Sequence, residues 1–236
     1  ADVFSFPVYS VIPKQPEKCP SIILINFRDN IPDKYLPSEE LCDMGFAVHS
    51  FCYQDITSDD GNYKDKLAAF FCGKNKNTER GKIALWAWAA QRVLDFVLTL
   101  DNTIPDSIAV AGHSRLGKTA LLAGGLDERF TTVISNDSGC GGAALSRKKD
   151  GETVRKISDR FPFWFRESYK KYADNEDALP FDQHFLLALT APRKLYIASA
   201  ALDIWADPVS EFLCAAAVSP VYEILGKKGL ICEDKL

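Results

Sequence analysis

The segment Gly112-His-Ser-Arg-Leu-Gly-Lys118 constrains the fold of this chain more than any other. It follows the apolar run 107–111, which is typical of a buried strand, and it precedes residues 119–123, which have the composition of a packed helix. A serine on the sharp turn between such a strand and helix projects from the carboxyl edge of a sheet, with a helix N-terminus behind it. Gly112 provides the small residue that the turn requires. We therefore predict a strained strand-to-helix turn that presents Ser114 as a nucleophile.

The spacing of the glycines departs from the usual G-x-S-x-G pattern around a nucleophilic serine. Leu116 stands where the second glycine is expected, and Gly117 follows Ser114 by three residues. An ordinary strand-to-helix turn without a catalytic function is therefore an alternative interpretation of the same residues.

Apolar runs alternate with helical patterns along the chain, which predicts an α/β fold with a mostly parallel, doubly wound sheet. Strands are expected at 21–27, 46–53, 107–111, 130–135 and 194–199, and helices at 36–44, 83–100 and 206–225. Residues 3–12 are expected to be extended, and the polar stretch 55–77 predicts a long surface loop. Residues 139–180 combine charges, aromatic residues and glycines, which indicates a cap-like insertion into a single domain over residues 1–236.

The composition argues against several classes of function. A net charge of −4 disfavours a nucleic-acid-binding surface, and no apolar run reaches the length that crosses a membrane. The seven cysteines are scattered without metal-ligand spacing. We therefore predict neither a metal nor a cofactor, and the scatter favours a reducing compartment. The first residues show no signal peptide, which leaves a processed leader and a cytoplasmic location both open.

Two aspartates follow predicted strands and are candidates for a site shared with Ser114. Asp137 lies in the glycine-rich stretch 135–142, and Asp203 follows the strand 194–199. Because the carboxyl ends of parallel strands meet at one edge of a sheet, all three residues are expected there. Asp203 also suits the chain order of serine, acid and histidine. A helix cap or a turn residue is the alternative for each aspartate.

Taken together, these segments resemble the glucuronoyl esterases, which are carbohydrate esterases with an α/β-hydrolase fold, and the likeness is greatest to bacterial members. The likeness extends from about Ser21 to Leu225. The residues that carry it are Trp86-Ala-Trp88, Gly112-His-Ser-Arg-Leu-Gly-Lys118, Asn136-Asp-Ser-Gly-Cys-Gly-Gly142, Leu179-Pro-Phe-Asp-Gln-His184, Ala191-Pro-Arg193 and Trp205-Ala-Asp-Pro208.

The resemblance implies a role for six residues. Ser114 is the expected nucleophile and Arg115 the expected oxyanion stabiliser, for which an always-charged guanidinium is suited. Asp137 falls at the usual position of the acidic triad residue, and Asp203 falls near an alternative position. Lys118 is expected to contact sugar hydroxyls and Trp205 to line the substrate site. A solvated helix position for Lys118 and a core position for Trp205 remain alternatives.

A serine esterase needs a base, which is nearly always a histidine, and this requirement is not met in an obvious way. Of the three histidines, His49 is expected to pack in the sheet, and the side chain of His113 is expected to point away from Ser114. We expect His184 to support the cap. The catalytic histidine belongs after a final strand, which residues 229–232 could begin. We therefore expect a sheet that lacks its final strand and a chain that is incomplete at its C-terminus. Loss of catalysis and substitution by His184 are the alternatives.

The function that follows is that of a serine carboxylic-ester hydrolase acting on carbohydrate esters. The resemblance implies 4-O-methyl-glucuronoyl esters of xylan as the substrate. An acetyl-type carbohydrate esterase is the nearby alternative. A non-catalytic carbohydrate-binding protein, which keeps the pocket without the base, is the alternative from another class.

Overall fold

The computed structural model describes residues 3–30, 36–71, 80–147 and 150–231. Six strands form one sheet: β1 (Tyr9–Val11), β2 (Cys19–Asn26), β3 (Ala47–Cys52), β4 (Thr103–His113), β5 (Thr132–Asn136) and β6 (Lys194–Ala198). Their order is β1-β3-β2-β4-β5-β6. β1 pairs with β3 in the antiparallel direction, and every other pair is parallel. The prediction of a mostly parallel α/β sheet is confirmed.

The helices connect the strands in the order that the sequence predicts. They are α1 (Ser38–Asp43), α2 (Tyr53–Ile56), α3 (Lys66–Phe71), α4 (Lys82–Val97), α5 (Arg115–Leu126), α6 (Val154–Arg160), α7 (His184–Ala188) and α8 (Pro208–Ile224). Two 3₁₀ helices occupy Glu167–Tyr172 and Glu176–Ala178. The long helices α4 and α8 agree with the predicted segments 83–100 and 206–225 to within a few residues at their ends.

Helix α4 packs against α5 and the sheet, and this contact forms the centre of the core. Trp86 and Leu94 of α4 are fully buried, as are Phe51 of β3 and Leu116 of α5. Because β2 and β3 are covered on both faces, their sequences read as continuous apolar runs rather than as alternating patterns. The packing fixes α5, and therefore the turn before it, relative to the strand ends.

The polar stretch 55–77 is not the surface loop that the sequence predicts. It contains α3, whose Leu67 is buried, although residues 72–77 lie outside the described part of the chain. The segment before α3 is held by Lys82, which is fully buried. The Lys82 ammonium donates to Thr57 Oγ1 at 2.6 Å and lies 3.6 Å from the Asp65 carboxylate. A buried cation thus organises a stretch whose polar composition indicated only solvent exposure.

Residues 161–164, which belong to the predicted cap-like insertion 139–180, pack against the N-terminus of α4. The Lys82 backbone N–H donates to the Phe163 carbonyl at 2.9 Å, and Phe161 stacks on the buried Trp164 with ring centroids 3.7 Å apart. Residues 229–231 form no strand, and the Leu230 N–H donates instead to Ser219 Oγ on α8. Cys232 lies outside the described residues, as does Cys72. Four of the five described cysteines are buried, as expected for small apolar residues.

Candidate active site

Ser114 occupies a strained turn between β4 and α5, as predicted. Its backbone has φ 55° and ψ −125°, a conformation that residues other than glycine rarely adopt. The turn is closed by the Ser114 N–H, which donates to the Asn136 carbonyl at 2.8 Å. A Cβ at Gly112 would lie 2.1 Å from the Leu116 carbonyl oxygen, so only glycine fits there. The turn therefore requires glycine at position 112 and holds the backbone of Ser114 in a strained conformation.

The position of Gly117, three residues after Ser114, follows from packing rather than from the turn itself. A Cβ at Gly117 would lie 3.0 Å from Ser138 Cβ and 3.1 Å from Ser135 Oγ. The first turn of α5 therefore approaches the end of β5 closely at this residue. The departure from the usual glycine pattern reflects where the helix meets the neighbouring loop.

The six residues predicted from the sequence line a single cleft of about 240 Å³. The set consists of Ser114, Arg115, Lys118, Asp137, Asp203 and Trp205. Further lining residues come mainly from the cap and from the loop after β5: Ser138, Gly139, Glu152, Arg160, Phe161 and Trp164. The prediction that Lys118, Trp205 and Arg115 share one open cleft with Ser114 is confirmed.

The two candidate acids are held in different ways. Asp137 has a left-handed backbone (φ 44°), and its Oδ1 accepts from the Ala200 N–H at 2.6 Å, which ties the loops after β5 and β6 together. Asp203 Oδ1 accepts from the Ala206 N–H at 3.1 Å, a turn interaction. Both carboxylates line the cleft, so the choice of the triad acid remains a prediction in favour of Asp137.

Arg115 lies among aromatic rings and pairs with an acid that the sequence analysis did not identify. Its guanidinium carbon lies 4.7 Å from the Trp164 ring centroid and within 5.7 Å of two phenylalanine rings. Nη1 donates to the Asp59 carboxylate. Asp59 lies in the segment that the polar composition assigned to a surface loop, and no local motif marks it. Only the folded chain brings it to Arg115.

Lys118 is buried and belongs to the cleft wall, so the alternative of a solvated helix residue is wrong. Its ammonium donates to the Ser138 carbonyl and lies 3.7 Å from the carboxylate of Glu152, which is also buried. Glu152 is a second residue that sequence reasoning missed. It lies in the charged part of the cap, where its neighbours in the sequence resemble any solvated loop.

Trp205 is not a core residue, because 43% of it is exposed. Lys156 and Arg160 of α6 lie over its ring at 5.4 Å and 6.0 Å from the centroid. Its backbone carbonyl accepts from the Glu152 N–H at 3.0 Å. The backbone segments that carry the ring and the buried carboxylate are therefore joined on one side of the cleft.

The three histidines all lie within the described residues, and none of them forms a hydrogen bond with the Ser114 hydroxyl there. His49 is fully buried in β3, as predicted, with Nδ1 2.8 Å from Ser10 Oγ. Burial lowers the pKa of His49 to about 4. His113 contributes to the cleft wall, and its Nδ1 accepts from Asn136 Nδ2 at 3.0 Å. His184 begins α7 and lines a different cavity.

The described residues contain no group of three or more His, Cys, Asp or Glu residues arranged to hold a metal ion. None of their helices combines the length and the apolar character that a membrane span requires. The cleft brings together a strained serine, cationic donors and carboxylates, a set that suits attack on an acyl carbonyl.

The chain is similar to known carbohydrate esterases. It is 45% identical over 190 residues to "Carbohydrate esterase MZ0003" of an unknown prokaryotic organism, an alignment that covers 79% of this chain and 44% of the relative. It is 32% identical over 219 residues to the 4-O-methyl-glucuronoyl methylesterase of Schizophyllum commune, covering 89% and 53%. The chain thus spans about half the length of the curated relatives that it matches.

The structural comparison agrees with the sequence comparison. The glucuronoyl esterase from Solibacter usitatus superposes with a TM-score of 0.86 at 37% identity, over 95% of this chain and 67% of that structure. The family model described as "Glucuronyl esterase, fungi" matches residues 2–226. The fold, the strained serine turn and these matches agree, and the chain belongs to the glucuronoyl esterase family.

Proposed function

We propose that this chain carries the nucleophile, the oxyanion donor and the sugar-binding wall of a serine carboxylic-ester hydrolase. Its substrates are carbohydrate esters of the 4-O-methyl-glucuronoyl type, as found on xylan. The observation that carries the proposal is the strained Ser114 turn, which opens into a cleft shared with Arg115 and Trp205. The name of the Schizophyllum commune relative supports the choice of ester.

The proposed reaction begins when Ser114 Oγ attacks the ester carbonyl and a base removes its proton. The carbonyl oxygen becomes an oxyanion, which Arg115 and the N-terminus of α5 stabilise. As the tetrahedral intermediate collapses, the base returns the proton to the leaving oxygen, which expels the alcohol and leaves an acyl-enzyme on Ser114. Water, deprotonated by the same base, then hydrolyses the acyl-enzyme to the uronate. Asp137 is proposed as the acid that orients the base.

The sugar ring is proposed to bind between the exposed face of Trp205 and the buried pair of Lys118 and Glu152. An aromatic face packs well against the C–H groups of a pyranose ring. Lys118 donates hydrogen bonds and Glu152 accepts them, so the pair can bind neighbouring hydroxyl groups of one ring. A hydrogen bond from the Glu152 N–H to the Trp205 carbonyl joins the backbone of the aromatic side of this site to that of the charged side.

A second candidate function is a carbohydrate-binding protein without catalysis. The observation in its favour is that no histidine of the described residues forms a hydrogen bond with the Ser114 hydroxyl, and serine is a weak nucleophile without a base. We expect this 236-residue chain to hydrolyse esters slowly, because oxyanion donors and binding alone supply on the order of 10³-fold over water.

The two functions are separated by comparing methyl glucuronate with acetylated sugars on the wild-type chain and on Ser114→Ala. An ester hydrolase is expected to show a slow rate on methyl glucuronate that disappears in Ser114→Ala. Imidazole, added as a soluble base, is expected to raise the wild-type rate but not the variant rate. Glucuronate binding without any Ser114-dependent hydrolysis would favour the binding protein, and a preference for acetyl esters would reassign the substrate.

A further inference from the structure

Asp59 is enclosed by three hydrogen-bond donors, and one of them is the proposed oxyanion residue. Asp59 Oδ1 accepts from Trp164 Nε1 at 2.7 Å. Oδ2 accepts from the Tyr53 hydroxyl at 2.9 Å and from Arg115 Nη1. Only 10% of its side chain is exposed. Such a carboxylate has a single orientation, because each oxygen is held by donors from different parts of the fold.

The segment that carries Asp59 is itself held in place by Asp65 and the buried Lys82. Thr57 Oγ1 and the Ser58 N–H donate to the two oxygens of Asp65, each at 2.9 Å. The buried Lys82 ammonium contacts both Thr57 and Asp65. The buried Lys82–Asp65 ion pair therefore holds Thr57, two residues before Asp59, which makes Asp59 a rigid partner for Arg115.

The guanidinium of Arg115 is restrained by Asp59 and the aromatic rings, yet its donors are not all used. Nη1 bonds to Asp59, whereas the buried Nε has no hydrogen-bond acceptor among the described residues. The Trp164 ring covers one guanidinium face and the same indole donates to Asp59. Arg115 also lines the cleft beside Ser114. The geometry therefore combines a cation held in one orientation with a position on the cleft wall beside Ser114, which is what the stabilisation of a charge that develops during a reaction requires.

We propose that Asp59 is the positioning residue for Arg115, and that its charge keeps the cleft selective for the neutral ester over the anionic uronate product. The inference rests on the proposed function, since it names how the oxyanion donor of that site is held. An unpaired guanidinium would bind the product carboxylate strongly and slow its release. Paired with Asp59, the same group can donate to a transient oxyanion without carrying an uncompensated positive charge.

The test measures glucuronate affinity by titration calorimetry together with Ser114-dependent hydrolysis of methyl glucuronate. Asp59→Asn keeps the shape of the side chain and removes its charge. We expect this variant to bind glucuronate about fivefold more tightly, since a partly exposed charge pair is lost, and to hydrolyse the ester at least about tenfold more slowly. The matched control is Asp60→Asn, an exposed neighbour that does not contact Arg115 and is expected to behave as wild type.

Both effects are expected to vanish when Asp59→Asn is introduced into an Arg115→Ala background, because Asp59 acts through Arg115. Damage to the fold alone would weaken glucuronate binding, so tighter binding is a signature that a merely structural role would not give. Unchanged or weaker binding in Asp59→Asn, or equal effects in the Arg115→Ala background, would overturn the inference.

Tyr53→Phe keeps the inference testable if Asp59→Asn does not fold. It removes one hydrogen bond to Asp59 but leaves the carboxylate charge, so we expect slower hydrolysis with glucuronate affinity within about twofold of wild type. Tightening of glucuronate binding in Tyr53→Phe would contradict the role assigned to the charge. If Ser114→Ala hydrolyses the ester as fast as wild type, the proposed function fails, while the binding data still decide whether Asp59 controls Arg115.

Discussion

Glu211 in the first turn of α8 accepts a hydrogen bond from the backbone N–H of Gly139 at 2.8 Å, which ties the last helix to the loop that carries Asp137. Its other contacts are the Ser138 hydroxyl, 3.2 Å from Oε1, and the Ser199 hydroxyl, which donates to Oε2. Glu211 is fully buried, and this burial raises its pKa above the ordinary value. One carboxyl therefore joins the ends of β5 and β6 beneath the cleft.

Replacing Glu211 should destabilise the fold because it leaves buried donors without an acceptor. We expect Glu211→Ala to lower the free energy of unfolding by about 2–4 kcal/mol. Glu211→Gln should cost less, since its amide oxygen can still accept. Urea unfolding measures both, with the exposed Glu223→Ala on the same helix as the control. A loss below about 0.5 kcal/mol in Glu211→Ala would show that the joined loops do not depend on this residue.

The choice between the two candidate acids predicts unequal effects of matched substitutions. In an active protein that contains this chain, Asp137→Asn should lower kcat by on the order of 10³-fold, because an uncharged partner neither orients nor stabilises the base. Asp203→Asn should cost less than about tenfold, because its carboxylate accepts a turn hydrogen bond from Ala206. Steady-state kinetics on methyl glucuronate measure both. The reverse order would assign the acid to Asp203.

The exposed face of Trp205 predicts a substrate-dependent effect on KM. Trp205→Ala should raise KM for a glucuronate ester by about 5- to 10-fold, the value of one aromatic contact. The KM for a small phenyl ester should change little, because the lost contact is to the sugar ring and not to the reacting carbonyl. Equal losses on the two substrates would instead mean that Trp205 supports the cap.

The buried His49 predicts how stability depends on pH. Its pKa falls from the ordinary 6.5 to about 4 in the folded chain because burial disfavours the charged form. Below about pH 6.5 the imidazole of His49 is therefore protonated in the unfolded chain but stays neutral in the folded chain. The contribution of the neutral, buried His49 to folding stability is lost as the pH falls toward 4.

Urea unfolding at pH 7 and pH 4.5 tests this dependence. Wild type should lose about 2–3 kcal/mol more on acidification than His49→Gln does. His184→Gln on α7 is the control. It keeps His49 and all the carboxylates that titrate between pH 7 and pH 4.5, so it should lose as much stability as wild type. Parallel losses in wild type and His49→Gln would show that the protonation of His49 does not contribute.

The sequence alone determined the features of this protein that depend on neighbouring residues. The turn at Ser114 was predictable because the steric demand for Gly112 arises within one strand-to-helix junction. The alternation of buried strands and helices, and with it the parallel sheet, follows from the spacing of apolar residues along the chain. Asp137 and Asp203 could be placed near Ser114 because the strands before them end at the same sheet edge.

Only the tertiary structure decided which residues complete the cleft. Asp59 lies 56 residues before Arg115, and Glu152 lies in a charged cap segment, so neither has a local pattern that marks it. The polar composition of the segment that contains Asp59 predicted a solvated loop. Polar side chains are usually exposed unless buried partners form hydrogen bonds or ion pairs with them. Lys82, Asp65 and the Trp164 indole are such partners, and they meet only after the chain has folded. Charge pairs between distant segments depend on three-dimensional proximity, which no one-dimensional periodicity encodes.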